Sequence, residues 1–385
     1  MSTLTATTFS SPSEYAAAVG EFLRTDPQAA QYLGFRAHGF EHSTDTLQGL
    51  QVLLFDTGWS RLGWPETAGG LGGDPRFRAA LFETLWLNDI QIPEPYTTLE
   101  ILVPVLLVHA PHLADAFLPS LLRGDERWAQ AFSEPDAGSD MASLRTRLDP
   151  DGDGYRLNGQ KVWSTGAHVA HRSVLLARSG GPGHRGLTMV LVDLDQPGVD
   201  VRPIRAQDGD NHFSEIFLDN VWVPGDRVIG ELGTGWAVAM YMLQWERGAW
   251  GWIQQGRFHS RLQHSLDIAS AHQATPNPAH AQALGNAYVL SAALRLQTRN
   301  TVERLAKEET LGPEVSVDKL LLIDAEISTW DAIRQHVGSV FDTEENLHWL
   351  RAEYFFSRAA PIYGGSQEIQ RTLVAQRVLG MPREA

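Results

Sequence analysis

Helical spacing of apolar residues dominates the first third of the chain. Tyr15, Val19 and a following phenylalanine recur three or four residues apart, which is the period of one helix face. Ser11 and Glu14 fit a capping box around a proline at the first helical position. The stretches "FRAALFETLWLNDI" and "TLEILVPVLLVHA" are further helix candidates. We therefore predict an N-terminal helical domain over residues 1–127.

The pattern changes to strands between residues 128 and 231. An Asn158-Gly159 pair stands between alternating residues in "YRLNGQKVW", which predicts a β-hairpin turn. Four strand-like segments follow, separated by glycine, proline and aspartate: "SVLLAR", "LTMVLVDLD", "VDVRPI" and "SEIFLDNVWVP". This part is predicted to be a compact antiparallel β-domain.

Helical spacing returns over residues 232–385. Three long segments, which start at "WAVAMYMLQWERGAW", "HAQALGNAYVLSAAL" and "VSVDKLLLIDAEIST", are followed by a final helix in "SQEIQRTLVAQRVLG". The turn-rich "ATPNPA" separates the first two. The chain is thus predicted to be α+β multidomain, with a helical, a β and a second helical domain in order.

Composition restricts the classes of function. The 385 residues carry a net charge of −15, which argues against nucleic acid as a partner because phosphates need a basic surface. No apolar run is long enough for a bilayer span, and no basic region precedes an apolar core as in a signal peptide. The absence of cysteine excludes thiol catalysis and fits a cytoplasmic location.

Two apparent motifs carry little weight. Residues 181–186 match G-x-G-x-x-G, but a strand rather than a helix follows, so a loop is expected and not a dinucleotide fingerprint. His168 and His171 have no acidic third ligand nearby in the sequence, so no metal site is predicted.

Five motifs stand out along the chain, in the order "AFSEPDAGSD", "VWSTGAH", "FLDNVWVP", "QWERG" and "IYGGSQEIQR". Together they resemble the acyl-CoA dehydrogenase family. The resemblance implies an N-terminal helical domain, a central antiparallel β-domain and a C-terminal four-helix bundle, with FAD between the last two. It also implies an acyl-CoA substrate, an electron-transfer flavoprotein as electron acceptor, and assembly into homodimers or homotetramers.

The residues of these motifs suit a flavin. Small and hydroxyl-bearing side chains in "SEPDAGSD" let backbone N–H groups approach an electron-rich ligand, and "WSTG" sets an indole beside hydroxyls. By resemblance, Thr165 lies near flavin N5, whereas Ser366 and Glu368 lie on the adenosine side. The other residues expected at the cofactor are Phe132, Ser133, Gly138, Ser139, Trp163 and Ser164. The residues expected at the substrate are Ser139, Arg247, Tyr363 and Gly364.

The family's reaction needs a carboxylate that removes the proton α to the thioester carbonyl. After Tyr363, where the signature carries an acid, this chain has Gly364, and Glu368 resembles the adenosine contact instead. Glu246 is the predicted base, because some members carry the glutamate on this earlier helix. The "ERG" and "YGG" pair resembles that branch, common among bacterial enzymes for branched or sterol-derived acyl-CoAs.

The surroundings of Glu246 support this prediction. Met242 and Trp250 stand one turn before and after it, so burial should raise the pKa of the carboxyl. A structural ion pair with Arg257 or with another helix is the alternative.

Departures from the family leave other functions open. The segment "HQATPNPAHAQALG" lacks the Arg-x-x-Phe-Gly motif whose arginine touches FAD across a subunit boundary, and the glycine pair before the last helices is absent. One alternative is therefore a non-catalytic or half-site subunit of a hetero-oligomer. The other is an oxygen-using flavoenzyme of the same fold, such as an acyl-CoA oxidase, a nitroalkane oxidase or a hydroxylase.

Overall fold

The first part of the protein is helical. A computed structural model describes residues 4, 5, 7–36, 39–272 and 277–382. The helices of the described residues that precede the first strand are α1 Pro12–Thr25, α2 Pro27–Ala30, α3 Phe40–Asp56, α4 Pro75–Leu87, α5 Pro95–His109 and α6 Pro111–Arg123.

Side-chain caps fix the starts of several of these helices. The Ser11 hydroxyl accepts a hydrogen bond from the backbone N–H of Glu14 at 3.2 Å, as the capping box predicted. Asp74 caps α4 in the same way, accepting from the backbone N–H of Arg76 at 2.8 Å. The two helix candidates of this region correspond to α4 and α5.

A mostly antiparallel sheet follows. Its strand order is β6-β7-β3-β2-β4-β5-β8, and β1 pairs with β4 in parallel. The strands are β1 Trp128–Ala131, β2 Arg147–Asp151, β3 Gly154–Thr165, β4 Arg172–Arg178, β5 Leu187–Asp193, β6 Val199–Ile204, β7 Phe213–Pro224 and β8 Val228–Ile229.

The hairpin turn predicted at Asn158-Gly159 is wrong. Both residues lie inside the continuous strand β3, where the pairing with β7 shifts register between Leu157 and Gly159. The Asn158 side chain accepts a hydrogen bond from the backbone N–H of Asn220 at 2.8 Å across this irregularity. The sequence pair therefore marks a β-bulge, which uses the same residue types as a tight turn.

Long helices make up the last part of the described chain. Helices α7, α8 and α9 pack against one another, and shorter helices close the region. Residues 274–276 of the predicted break between α7 and α8 lie outside the described residues. The elements are α7 Gly235–Ala271, α8 Pro278–Ala306, α9 Val315–Val337, α10 Ser339–Thr343, α11 His348–Ser357, α12 Gln367–Leu373 and a π-helical turn Val374–Val378.

Helix α7 joins the three regions. Its buried residues, among them Val238 and Met242, belong to one apolar core with the N-terminal helices and one face of the sheet. A second apolar cluster lies within the sheet itself. This architecture confirms the predicted fold class, while the domain boundaries stay a prediction. In the part of the chain described here, no helix has the length and apolar character that a membrane span requires.

Candidate active site

The carboxyl group of Glu246 is buried in the middle of α7. The side chain is 8% exposed, and the Gln130 side-chain N–H on β1 donates to Oε2 at 3.2 Å. Burial raises the pKa of this carboxyl, against the smaller opposing effects of Gln130, Arg247 and Lys319. A buried carboxyl with few partners is a stronger proton acceptor once ionised than an exposed one.

The alternative ion pair with Arg257 does not form. Arg257 instead contacts Glu353 at 3.0 Å and Glu326 at 3.8 Å. Across the described ranges, the ion pairs do not include Glu246. The carboxyl is thus held by an amide rather than by a cation, which leaves it available for chemistry.

Gly364 lies directly beside Glu246. A Cβ atom placed on Gly364 would be 3.2 Å from Oε1 of Glu246 and 3.6 Å from Cε of Lys319. The glycine also has a φ of 62°, in the left-handed region that other residues rarely adopt. The missing side chain therefore provides the space in which the Glu246 carboxyl lies.

A buried lysine stands on the other side of this glycine. Lys319 of α9 donates from Nζ to the Ala360 carbonyl at 3.1 Å, and the amine lies 3.8 Å from the ring centre of Tyr363. Burial lowers the pKa of Lys319 to about 8, with Glu326 and Glu246 opposing. The amine thus supplies positive charge near the carboxyl without forming an ion pair with it.

Tyr363 is held by a carboxylate. Its hydroxyl donates to Oε2 of Glu326 at 2.9 Å, and its ring packs on Trp250 with centres 5.3 Å apart. The turn that contains Tyr363 and Gly364 is in this way fixed to α7 and α9.

A buried ion pair anchors the loop that follows β1. Lys161 Nζ contacts Oε1 of Glu134 at 2.9 Å and donates to the Phe132 carbonyl at 3.2 Å. The Ser133 carbonyl accepts from the backbone N–H of Val162 at 3.0 Å. The loop of Phe132 and Ser133 therefore lies against the end of β3.

Trp163, Ser164 and Thr165 occupy that end of β3 in an unusual conformation. Trp163 has a φ of 61° at a second register shift, and its indole is 60% exposed. The Ser164 hydroxyl is buried and has no hydrogen-bond partner within the described chain. An exposed indole on a strained backbone beside an unpartnered hydroxyl is typical of a ligand site.

These observations test the fit of a flavin. Gly138 presents open space, because a Cβ atom there would meet no atom of the described residues within 4 Å. The indole of Trp163 and the hydroxyl-bearing side chain of Thr165 are both exposed near the end of β3, and they offer a flat surface and a hydrogen-bonding group. The residues present therefore fit a planar, polar ring system such as isoalloxazine.

The remaining predicted site residues are more scattered. Ser139 and Glu368 are exposed, and Arg247 is half-buried with an unpartnered Nε. Ser366 caps α12 by accepting from the backbone N–H of Ile369 at 3.4 Å. The described contacts do not bring Ser139, Ser366 and Glu368 together with Glu246, whereas Arg247 follows it in α7 and opposes the rise of its pKa.

A cavity of about 520 Å³ opens beside Thr165. Trp250, one helical turn beyond Glu246, forms part of its wall, and its polar lining includes Glu94 and His212. Sequence reasoning did not identify these two residues, nor Gln130 and Lys319. Of these four residues, only Lys319 could have been noticed in the sequence, because it is a lysine within the apolar helix segment "VSVDKLLLIDAE".

Several known proteins resemble this chain in sequence. Family models for the "acyl-CoA dehydrogenase, middle domain" and "acyl-CoA dehydrogenase, C-terminal domain" match residues 129–221 and 233–379. The Mycobacterium tuberculosis acyl-CoA dehydrogenase IpdE1 is 37% identical over 359 residues, which cover 91% of this chain and 92% of that protein. The cyclohexane-1-carbonyl-CoA dehydrogenase of Geobacter metallireducens is 30% identical over 288 residues, covering 72% of this chain and 74% of that protein.

Solved structures share the fold. The Tcur3481-Tcur3483 steroid ACAD superposes with a TM-score of 0.84 at 24% identity, over 97% of this chain and 98% of that chain. A glutaryl-CoA dehydrogenase from Mycobacterium smegmatis in complex with FADH2 superposes with a TM-score of 0.78 at 19% identity, over 97% and 96%. The resemblance carried by the five sequence motifs is thereby confirmed.

Proposed function

This chain belongs to the acyl-CoA dehydrogenase family, and on that premise we propose that it oxidises an acyl-CoA thioester to the trans-2-enoyl-CoA. The observation that carries the proposal is the buried carboxyl of Glu246 in the space beside Gly364. Both features of the predicted branch, an acid on α7 and a glycine after Tyr363, lie next to each other in the structure.

Glu246 is the proposed base. Its carboxylate takes the proton from the α carbon, and burial makes it a stronger base by raising its pKa. Gln130 orients the carboxyl through the hydrogen bond to Oε2, which leaves Oε1 toward Gly364. Lys319 keeps positive charge close by, so that the ionised form remains populated in a buried setting.

FAD is the cofactor of this family, and when bound it accepts the β hydrogen as hydride. Thr165 and Trp163 would flank the ring system, with Ser164 between them in β3. Ser366 and Glu368 would hold the adenosine side, while Arg247, Tyr363 and Gly364 would face the substrate. The other residues that would hold the cofactor are Phe132, Ser133, Gly138 and Ser139.

Glu246→Gln tests the assignment of the base. The variant should retain bound FAD, because the amide keeps the shape of the side chain, yet flavin bleaching by an acyl-CoA should fall by about 1,000-fold or more. Stopped-flow absorbance of the flavin measures this. Glu368→Gln is the comparison variant, since it removes the glutamate of the late signature, and the fraction of this variant that carries FAD should still bleach. Bleaching near the unmodified rate in Glu246→Gln would refute the assignment.

The fate of the electrons separates two reactions. We propose that the reduced enzyme passes them to an electron-transfer flavoprotein, as the family resemblance implies. An oxygen-using flavoenzyme of this fold would instead consume oxygen after reduction. Oxygen uptake by the reduced protein, measured beside reduction of an artificial electron acceptor, distinguishes the two.

Assembly with further subunits is also proposed. Helix α8 exposes Tyr288, Val289 and Leu296, the last two seven residues apart on one face. The missing Arg-x-x-Phe-Gly segment favours a second candidate, a half-site subunit completed by a different chain. Purification of the chain alone distinguishes these two candidates. Stoichiometric FAD in the purified protein supports a homo-oligomeric enzyme, whereas a colourless protein supports the half-site role.

The acyl group is proposed to be branched, cyclic or otherwise bulky, carried by CoA or by a carrier protein. The sequence similarity of this chain to a cyclohexane-1-carbonyl-CoA dehydrogenase supports a cyclic acyl group. The steroid ACAD has the same fold as this chain. A panel of short, long, branched and ring-bearing thioesters in the bleaching assay would rank the candidates.

A further inference from the structure

The cavity beside Thr165 is lined by aromatic residues together with polar and charged side chains. Its volume of about 520 Å³ lies within the range of small-molecule sites. The cavity begins near the proposed reacting centre, at Thr165 and Trp250, and extends toward the N-terminal helices. Its aromatic lining residues are Phe40, Trp86, Trp250, Trp349, Phe355 and Phe356.

Glu94 is a carboxyl group of this cavity that has no partner among the described residues. It stands at the start of α5, is half-buried, and its side chain makes no cap hydrogen bond with the helix. Within the described residues, its carboxyl has neither a hydrogen-bond donor nor an ion-pair partner. Burial raises the pKa of Glu94 to about 7, against the weaker effects of Arg127 and His212.

Other charged groups of the lining are already engaged. Arg36 pairs with Asp89, and Arg257 pairs with Glu353 at 3.0 Å. The guanidinium of Arg351 donates to the Phe341 carbonyl at 2.7 Å. Glu94 thus differs from these neighbours in facing the cavity without a partner.

His212 provides a second polar group in the same cavity. Its Nε2 contacts Oδ2 of Asp208 at 2.5 Å, and the Asp208 side chain is 1% exposed. The ring is further held by Phe356, with centres 4.8 Å apart. Because Asp208 accepts a hydrogen bond from Nε2, the ring carries a proton there, and Nδ1 is the nitrogen that remains for a ligand.

We propose that Glu94 and His212 recognise a hydroxyl group on the far part of a ring-bearing acyl substrate. This inference rests on the proposed function, since it names the substrate class of the same site. Aromatic walls suit the hydrocarbon of a ring, and the two polar groups would fix its orientation.

A hydroxyl fits this pair better than a ketone or an alkyl group. A hydroxyl both donates and accepts, so it can bond to Nδ1 of His212 and to the Glu94 carboxyl whichever of the two groups carries a proton. A ketone can only accept, so it cannot bond to an ionised Glu94 or to an Nδ1 that lacks a proton. An alkyl group would leave Glu94 buried without any partner, which is unfavourable.

Binding of matched ligands tests the proposal. The protein used in this test is loaded with FAD and carries Glu246→Gln, which blocks the proposed reaction. Calorimetry measures its affinity for cyclohexane-1-carbonyl-CoA and for the ring-hydroxylated and ring-keto analogues. At least one hydroxylated isomer should bind about 10- to 100-fold more tightly than the unsubstituted ring, as expected for a hydrogen bond to a charged or shared-proton group. Adding Glu94→Leu should remove this preference, and adding Glu94→Gln should reduce it.

Controls separate the possible failures. Glu66→Gln, an exposed carboxyl outside the cavity, should leave the preference unchanged. Loss of an unpartnered buried carboxyl should not impair folding, and His212→Phe is a second variant that should also lower the preference. Equal affinities for all rings, a ketone bound as tightly as the alcohol, or a preference that survives Glu94→Leu would overturn the inference. Bleaching during the titration would instead count against the proposed base, not against this recognition.

Discussion

The carboxyl of Glu246 and the absent side chain of Gly364 are complementary at the scale of single residues. Residue 246 supplies a carboxyl group, and the glycine at position 364 leaves the space that this group needs. A Cβ atom on Gly364 would lie 3.2 Å from Oε1 of Glu246. The apolar residues one turn away along α7 made the acid predictable from the sequence. Gln130 and Lys319 come from β1 and α9, and no local pattern indicates which strand or helix will face a given carboxyl.

Removing the hydrogen bond from Gln130 should change the pH dependence of the reaction. The amide stabilises the ionised carboxylate, so Gln130→Leu should raise the pKa of Glu246 further. Since the base acts in its ionised form, kcat/KM rises with pH through this pKa, and the acid limb should move up by about 0.5 to 1 pH unit. Bleaching rates measured across pH report the shift.

A matched glutamine controls for general effects on the sheet. Gln160 on β3 also donates to a carboxylate, Oε1 of Glu215 at 3.1 Å, but it does not contact the site described here. Gln160→Leu should leave the acid limb in place. An unmoved limb in Gln130→Leu, or an equal shift in both variants, would show that the amide does not tune the base.

At the scale of elements, long periodic segments were predictable and irregular ones were not. The predicted helix of residues 315–337 coincides with α9, and the strand of residues 199–204 coincides with β6. The Asn158-Gly159 pair misled because turns and bulges favour the same residues, and only pairing with β7 decides between them. Helices α10 and α11 were not predicted, because tertiary packing stabilises such short segments more than helix propensity does.

The crossing of α7 and α8 depends on one glycine. A Cβ atom on Gly251 would lie 2.7 Å from Cγ2 of Thr298, a buried and conformationally stiff side chain. Gly251→Ala should therefore reduce the free energy of unfolding by about 1–3 kcal/mol, because the steric conflict exceeds the gain in helix propensity. Urea unfolding followed by circular dichroism measures the change.

Another helical glycine provides the control. A Cβ atom on Gly285, in α8, would meet no described atom within 4 Å, so Gly285→Ala should stabilise the protein by about 0.5–1 kcal/mol. Combining Gly251→Ala with Thr298→Ala should recover part of the loss. A stabilising effect of Gly251→Ala alone would show that the two helices can separate freely.

At the scale of the molecule, the cavity proposed to hold the acyl group forms where the three regions meet, and this is what the sequence could not specify. Thr165 comes from the sheet, Glu94 from the N-terminal helices and Trp250 from α7, yet all three line one cavity. Motifs predicted each part separately, because they depend on local spacing. The volume and polarity of the space between the parts depend on how the regions pack, which no motif encodes.

Alternating charges connect the N-terminal helices to the C-terminal ones. Glu353 of α11 contacts Arg257 at 3.0 Å and Arg261 at 3.2 Å, and Arg261 also contacts Asp89, next to α4, at 3.1 Å. Burial disfavours ionised Glu353, but the two arginines outweigh it and hold its pKa below the ordinary value. Arg261 is 1% exposed, so the carboxylate compensates a charge that water cannot reach.

Glu353→Gln should therefore destabilise the whole molecule by about 3 kcal/mol, since it leaves buried guanidinium groups without their main counter-charge. Because the folded-state pKa of Glu353 is lowered, its contribution exists above the unfolded-state pKa and is lost as pH falls through the folded-state value. The difference in stability from the unmodified protein should accordingly shrink in acid, which urea unfolding at several pH values measures.

Asp136→Asn is the control, because it breaks an ion pair with Arg145 whose side chains are 77% and 79% exposed. It should change the free energy of unfolding by less than about 1 kcal/mol. If both substitutions have the same small effect at neutral pH, the buried charges do not hold the helical regions together, and apolar packing around α7 alone must do so.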